Sequence, residues 1–187
     1  MGKIILASSS PRRRDLLKKT KLNFEIIPSP YIEDHTRTDF SYEFVEELAL
    51  NKALAVVPLV KEPSTIIGAD TVVVLEGTIL GKPIDKKHAF QMLKNLSGKT
   101  HLVVTGIAIV DSLTKKQKKV AVTSSVKFEN LTDEQINKYI EDFNPLDKAG
   151  SYGIQELPDG YINSYTGSLE NIIGLDTKVL CELLENF

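Results

Sequence analysis

The sequence predicts an α/β fold: one mixed β-sheet flanked by helices. Three observations carry this expectation. Strand-like segments with apolar runs or period-two alternation are interleaved with segments whose apolar residues recur at helical spacing. Two β-rich stretches, 100–111 and 118–128, follow one another across a lysine-rich turn and read as an antiparallel hairpin, which favours a mixed sheet over a purely parallel one. No internal repeat, low-complexity tract or linker interrupts the 187 residues, so the chain reads as a single domain over 1–187.

The elements follow in order. Lys3–Leu6 is a short buried strand. Pro11 suits the first turn of a helix with Ser10 as N-cap, and that helix runs to about Lys19 with Leu16 and Leu17 inward. Residues 23–30 alternate like a strand until Pro28 and Pro30 stop it. Tyr31–Asp39 is polar and reads as an exposed loop. Ser41 to about Val57 is a helix whose stripe is Phe44, Val45, Leu48, Ala49, Ala53 and Val56. Residues 64–83 give a long strand, a Glu76-Gly77 turn and a short second strand. Asp85 caps a helix to Leu96, and Thr132 with Gln135 matches a capping box ahead of the next. Asp147–Glu156 is glycine-punctuated and irregular, and Asp176–Glu185 is the terminal helix.

Bulk properties exclude several classes. A net charge of −2 gives no global attraction to nucleic acid or anionic membrane, so any basic site is local. The single cysteine, Cys181, rules out an internal disulfide and is expected to be a buried structural residue. The apolar run near the N-terminus is too short for a signal peptide or a membrane span, so the cytoplasm is the expected compartment.

The chemistry concentrates in a few places. Ser8–Arg14 reads SSSPRRR, a hydroxyl-rich turn that opens a helix. Such a turn presents free N–H groups at the positive end of the helix dipole, an anion site. Cations there are locally unfavourable, and a bound polyphosphate would account for Arg12, Arg13 and Arg14; a solvated basic end is the alternative. Asp70 interrupts an apolar strand and must be paired, metal-bound or locally hydrogen-bonded; a carboxylate on a rigid strand suits a general base or a Mg²⁺ ligand. Lys52 sits at the edge of its helix stripe, either as a snorkelling lysine or as a site cation. Lys82 in a Gly-Lys-Pro turn and Glu33 in the polar loop are weak signals alone.

Other chemistries fail. The Ser97–Thr100 run SGKT follows a helix, and Leu93 stands where a P-loop needs glycine. His35, His88 and His101 lack zinc spacing, and no G-x-S-x-G elbow is present. The remaining inventory suits a metal-bound polyphosphate: cations for phosphate oxygens, carboxylates to hold metal or activate water.

These pieces, in this order, resemble the Maf family of nucleoside triphosphate pyrophosphatases, known also as septum-formation-inhibitor homologues. LASSSPRR at Leu6–Arg13, NKA at Asn51–Ala53, GADTVV at Gly68–Val73, GKP at Gly81–Pro83, DKAGSYGIQ at Asp147–Gln155 and NIIGL at Asn171–Leu175 are similar to its blocks. The resemblance implies an elongated α/β structure with two lobes around a deep nucleotide-binding cleft. It also implies hydrolysis between the α and β phosphates, in the branch acting on dTTP and UTP. By the same resemblance Asp70 is the proton acceptor, and Arg12, Thr71 and Gln155 set base specificity. Ser8, Arg13, Lys52 and Lys82 bind phosphate, and Glu33 and Asp70 hold a divalent cation, Mg²⁺ or Mn²⁺. The expected partner is a small-molecule nucleoside triphosphate, with no nucleic acid and no membrane; base rates and the resemblance allow a homodimer. A non-enzymatic, nucleotide-responsive regulator of cell division is the alternative.

Overall fold

The computed structural model describes residues 2–34 and 37–187; His35 and Thr36 of the expected loop lie outside the described residues. Strands β1 (Lys3–Leu6), β2 (Phe24–Ile26), β3 (Ser64–Leu75), β4 (Thr78–Leu80), β5 (Thr100–Asp111), β6 (Gln117–Phe128) and β7 (Ile162–Thr166) form one sheet in the order β2-β1-β3-β5-β6-β7. β4 folds back on β3 through the tight turn at Glu76 and Gly77, both at positive φ. The β1–β2 and β1–β3 pairs are parallel and the others antiparallel, so the sheet is mixed, as expected.

The helices are α1 (Pro11–Lys18), α2 (Tyr42–Leu54), α3 (Lys86–Leu96), α4 (Asp133–Phe143), α5 (Leu169–Ile173) and α6 (Thr177–Glu185). Ser10, Ser41, Asp85, Thr132 and Asp176 each accept the N3 amide of the helix they open, and Gln135 completes the capping box on α4. Each such cap contributes about 1 kcal/mol. α2 stops at Leu54, short of Val57, because Pro58 has no N–H to donate to the Leu54 carbonyl; a 3₁₀ turn follows at Val57–Leu59. β7 and α5 were not expected. β7 is a polar edge strand without apolar alternation, and α5 is one short turn. Cys181 is half-buried rather than buried, because its position on α6 flanks the inward row of Leu180 and Leu184.

The two faces of the sheet are covered differently. On one face lies α2, whose Val45, Ala49 and Ala53 pack on Ile66, Val72, Val104 and Ala108. Two glycines let its backbone touch the strands. A Cβ at Gly68 would stand 2.1 Å from the Ala49 carbonyl oxygen, and one at Gly106 2.2 Å from that of Val45. The opposite face carries two apolar clusters. Leu16 and Leu17 of α1 and Leu180 and Leu184 of α6 cover Ile67, Ala69, Ile107 and Ile109. Farther along the same strands, Leu93 of α3 and Ile136 and Tyr139 of α4 cover Val73, Leu75 and Val103. Between the clusters stand Thr71 and Thr105, directly paired across β3 and β5. No helix of the described residues is long and apolar enough to cross a membrane.

Candidate active site

Strand register creates the site. β1 pairs with β3 only over Ser64–Ile67, and β4 only over Val73–Leu75. Residues 68–72 of β3 therefore have no neighbouring strand on that side, and they include Asp70 and Thr71. The gap opens beyond the carboxyl end of β1. There the chain turns through α1 to β2 on one side while β3 lies on the other. That is a topological switch point, where parallel α/β sheets form ligand crevices.

The turn from β1 to α1 borders this gap. Ser10 Oγ accepts the Arg13 amide at 3.4 Å, and Ser8 Oγ accepts the Ser10 amide at 3.2 Å. With Pro11 leading the helix and no acidic residue in its first turn, the helix N-terminus stays electropositive. The SSSPRRR run thus forms a hydroxyl-capped helix N-terminus beside the gap.

Two polar assemblies flank the gap, one on each face. On the α2 face, Asp70 is 6% exposed and pairs through Oδ1 with Lys52 Nζ. The same ammonium lies 2.7 Å from Glu33 Oε1. The close seat of α2 on Gly68 brings Lys52 to the strand, so Lys52 is a paired cation and not a snorkelling one. Glu33 belongs to the loop expected to be exposed, yet its side chain is 22% exposed because Lys52 draws it in.

On the opposite face, Arg13 donates through Nε to the Gly174 carbonyl at 2.9 Å, across 161 residues of sequence. Its other nitrogens reach Thr71 Oγ1 at 3.1 Å and Ser8 Oγ at 3.5 Å. Thr71 meets Thr105 Oγ1 at 2.9 Å, and Thr105 donates to the Asn171 carbonyl at 3.0 Å. Asn171, fully buried, donates to Ser124 Oγ and to the Val103 carbonyl. Burial lowers the Arg13 pKa from its ordinary value, and the charges of Asp70 and Glu33 oppose that, so both faces are in electrostatic reach of each other at the gap. Arginine stays charged regardless.

The remaining expected residues stand apart from these assemblies. Arg12 reaches across to Asp147, 3.6 Å away. Arg14 pairs with its neighbour Asp15 in solvent. Lys82 and Gln155 are exposed and, among the described residues, join neither assembly. Their segments do adjoin: the Gly150 amide donates to the Gly81 carbonyl at 3.1 Å, and Gly150 at φ +65° lies against Val73 where a Cβ would clash. Sequence reasoning did not single out Thr105, Asn171 or Lys148. Asn171 and Lys148 fall inside the blocks NIIGL and DKAGSYGIQ, whose order was legible while their contacts were not.

The structure thus brings an electropositive helix N-terminus and a buried carboxylate together at a switch point of a mixed α/β sheet, a layout suited to a hydrolase that handles nucleotides. The family described as Maf, Maf-like protein, matches residues 3–187, and the chain belongs to it. It is 46% identical over 183 residues to a protein of Clostridium novyi (strain NT) named dTTP/UTP pyrophosphatase, covering 97% of this chain and 95% of that one. Proteins of the same name from Desulforamulus reducens and Escherichia coli O157:H7 are 42% and 41% identical over 187 residues, covering all of this chain and 97% and 94% of theirs.

Proposed function

We propose that this chain hydrolyses dTTP and UTP to the nucleoside monophosphate and pyrophosphate. The observation that carries the reading is a buried Asp70 on the unpaired stretch of β3, approached by cations from α1 and α2, in a chain so similar over its full length to proteins of that name. Asp70 accepts a proton from water while the water oxygen bonds to the α phosphorus. The bond from that phosphorus to the bridging oxygen breaks, and pyrophosphate leaves with the electron pair. Arg13, Lys52, Lys82 and Ser8 hold the phosphates and offset the charge that grows on the leaving group. Arg12, Thr71 and Gln155 face the base.

Glu33 and Asp70 would hold the divalent cation, Mg²⁺ or Mn²⁺. Both carboxylates reach one ammonium, so they already converge on a point suited to positive charge. Among the described residues no group of three or more His, Cys, Asp or Glu is clustered for a metal. This suits Mg²⁺, which takes one or two carboxylates and completes its shell with water and substrate phosphates. When bound, the ion neutralises phosphate charge. The two apolar clusters beside the Thr71–Thr105 pair correspond, in this reading, to two lobes of a single domain.

The test is pyrophosphate release from a panel of nucleoside triphosphates with Mg²⁺ or Mn²⁺. Release from dTTP and UTP supports the reading. Release from other bases alone would move the substrate class, and binding without release would favour a nucleotide-responsive regulator.

A further inference from the structure

Lys148 is a buried lysine that the proposed chemistry does not use. It is 6% exposed, in the irregular segment that carries Gln155. Its ammonium meets three oxygens: the Asn144 carbonyl at 3.3 Å, Asp147 Oδ1 at 2.8 Å and Glu156 Oε2 at 3.1 Å. The first two are hydrogen bonds. Glu156 Oε2 lies outside hydrogen-bond angles, accepts no other donor, and is held as a charge partner.

The aliphatic stem of Lys148 runs under Gly153. A Cβ there would stand 3.2 Å from Cε and 3.3 Å from Cδ. The turn above it closes by the Glu156 amide donating to the Gly153 carbonyl at 2.9 Å, and the Gly153 amide donates to Tyr139 Oη at 3.1 Å. One ammonium thus ties the start of the segment, at 144–147, to its end at 156. Asp147 extends the tie outward, because its second oxygen pairs with Arg12. The order along the network is Arg12, Asp147, Lys148, Glu156, and Gln155 is the residue next to Glu156.

We propose that Lys148 and Glu156 are positioning residues: their ion pair, extended through Asp147, sets Arg12 and Gln155 relative to one another and so governs the choice of base. The inference rests on the reading of Arg12 and Gln155 as base-facing. A side chain that discriminates bases must be held to a fraction of an ångström, and Gln155 is exposed on an irregular segment that lacks the support of a helix or strand. The buried pair supplies that support.

The test measures kcat and KM for dTTP and dGTP in Asp147→Asn and Glu156→Gln, with Lys138→Met as a control at an exposed pair on α4. Both test variants should raise KM for dTTP and reduce the dTTP-to-dGTP ratio of kcat/KM about tenfold while leaving kcat for dTTP nearly unchanged. The control should match wild type. Asp147 is exposed, so Asp147→Asn tests the Arg12 limb without threatening the fold; should Glu156→Gln fail to fold, Lys148→Arg replaces it. A lower Tm with an unchanged selectivity ratio overturns the proposal, since the pair would then be a structural staple only. A shift in Asp147→Asn alone also overturns it, because Arg12 would be set without the pair. Wild-type protein that releases no pyrophosphate from any nucleotide would overturn the underlying reading and this one with it.

Discussion

Lys52 and Lys148 each lie between two carboxylates, and the two clusters are built differently. Lys52 projects from α2 and meets Glu33 and Asp70, which come from segments 19 residues before it and 18 after it. Lys148 meets Asp147 and Glu156 within its own irregular segment. In the first cluster Lys52 and Asp70 are fixed by regular elements, with α2 pressed on β3 through Gly68, and Glu33 joins them from a loop. The second fixes a segment built of two short 3₁₀ turns, Pro145–Asp147 and Ala149–Ser151, and a loop, with no α-helix or strand of its own. The same ion types therefore serve different ends: the scaffold holds the Lys52–Asp70 pair in place, whereas at Lys148 the charges hold the scaffold.

Predictions can break or sharpen this contrast. The largest effect is expected at Asp70. Asp70→Asn should lower pyrophosphate release by about 10³-fold, since a positioned general base contributes 10²- to 10⁴-fold, while circular dichroism and Tm stay close to wild type. Retained turnover in that variant would remove Asp70 from the chemistry. Next comes Gly68→Ala, which forces a methyl into the Ala49 carbonyl. It should cost about 3 kcal/mol by denaturant unfolding and also depress activity, because α2 carries Lys52. An unchanged midpoint would show that α2 has room to move.

Acid should act on the Lys148 side. His101, 2% exposed, hydrogen-bonds through Nε2 to Tyr152 Oη at 2.7 Å, and Tyr152 belongs to the segment that Lys148 ties. Burial pushes the His101 pKa from 6.5 down to about 4. The unfolded chain then takes the proton first, so this stability is fully present above pH 6.5 and is lost as pH falls toward 4. The loss is at most about 3 kcal/mol. Urea midpoints at pH 7 and 4.5 should fall in wild type and differ less in His101→Phe. The smallest effect is at Arg14, paired with Asp15 in solvent: Arg14→Ala should change stability by under about 0.5 kcal/mol, with activity unaltered.

Much of this was legible in the chain. The N-caps Ser10, Asp85 and Thr132, the Glu76-Gly77 turn and the β5–β6 hairpin follow from signals that act within a few residues. Asp70 declared itself because a carboxylate in an apolar strand demands a partner. β7 escaped because an edge strand facing water carries no alternation, and α5 because one helical turn has no period to read. Glu33 was read as exposed because a loop's composition does not reveal which ammonium it will meet.

The sequence by itself determined the kinds of element, their caps and turns, and the residue types able to bind an anion or move a proton. Tertiary structure alone decided that Asp70 and Thr71, adjacent in the chain, send their side chains to opposite faces of one strand, and that both faces meet at a gap left by β1 and β4. It alone joined Arg13 to Gly174 and Arg12 to Asp147. The physical reason is range. Periodicity, capping and turn chemistry act over a few residues, whereas these contacts depend on strand register and on how closely a helix seats, which the whole packed core sets.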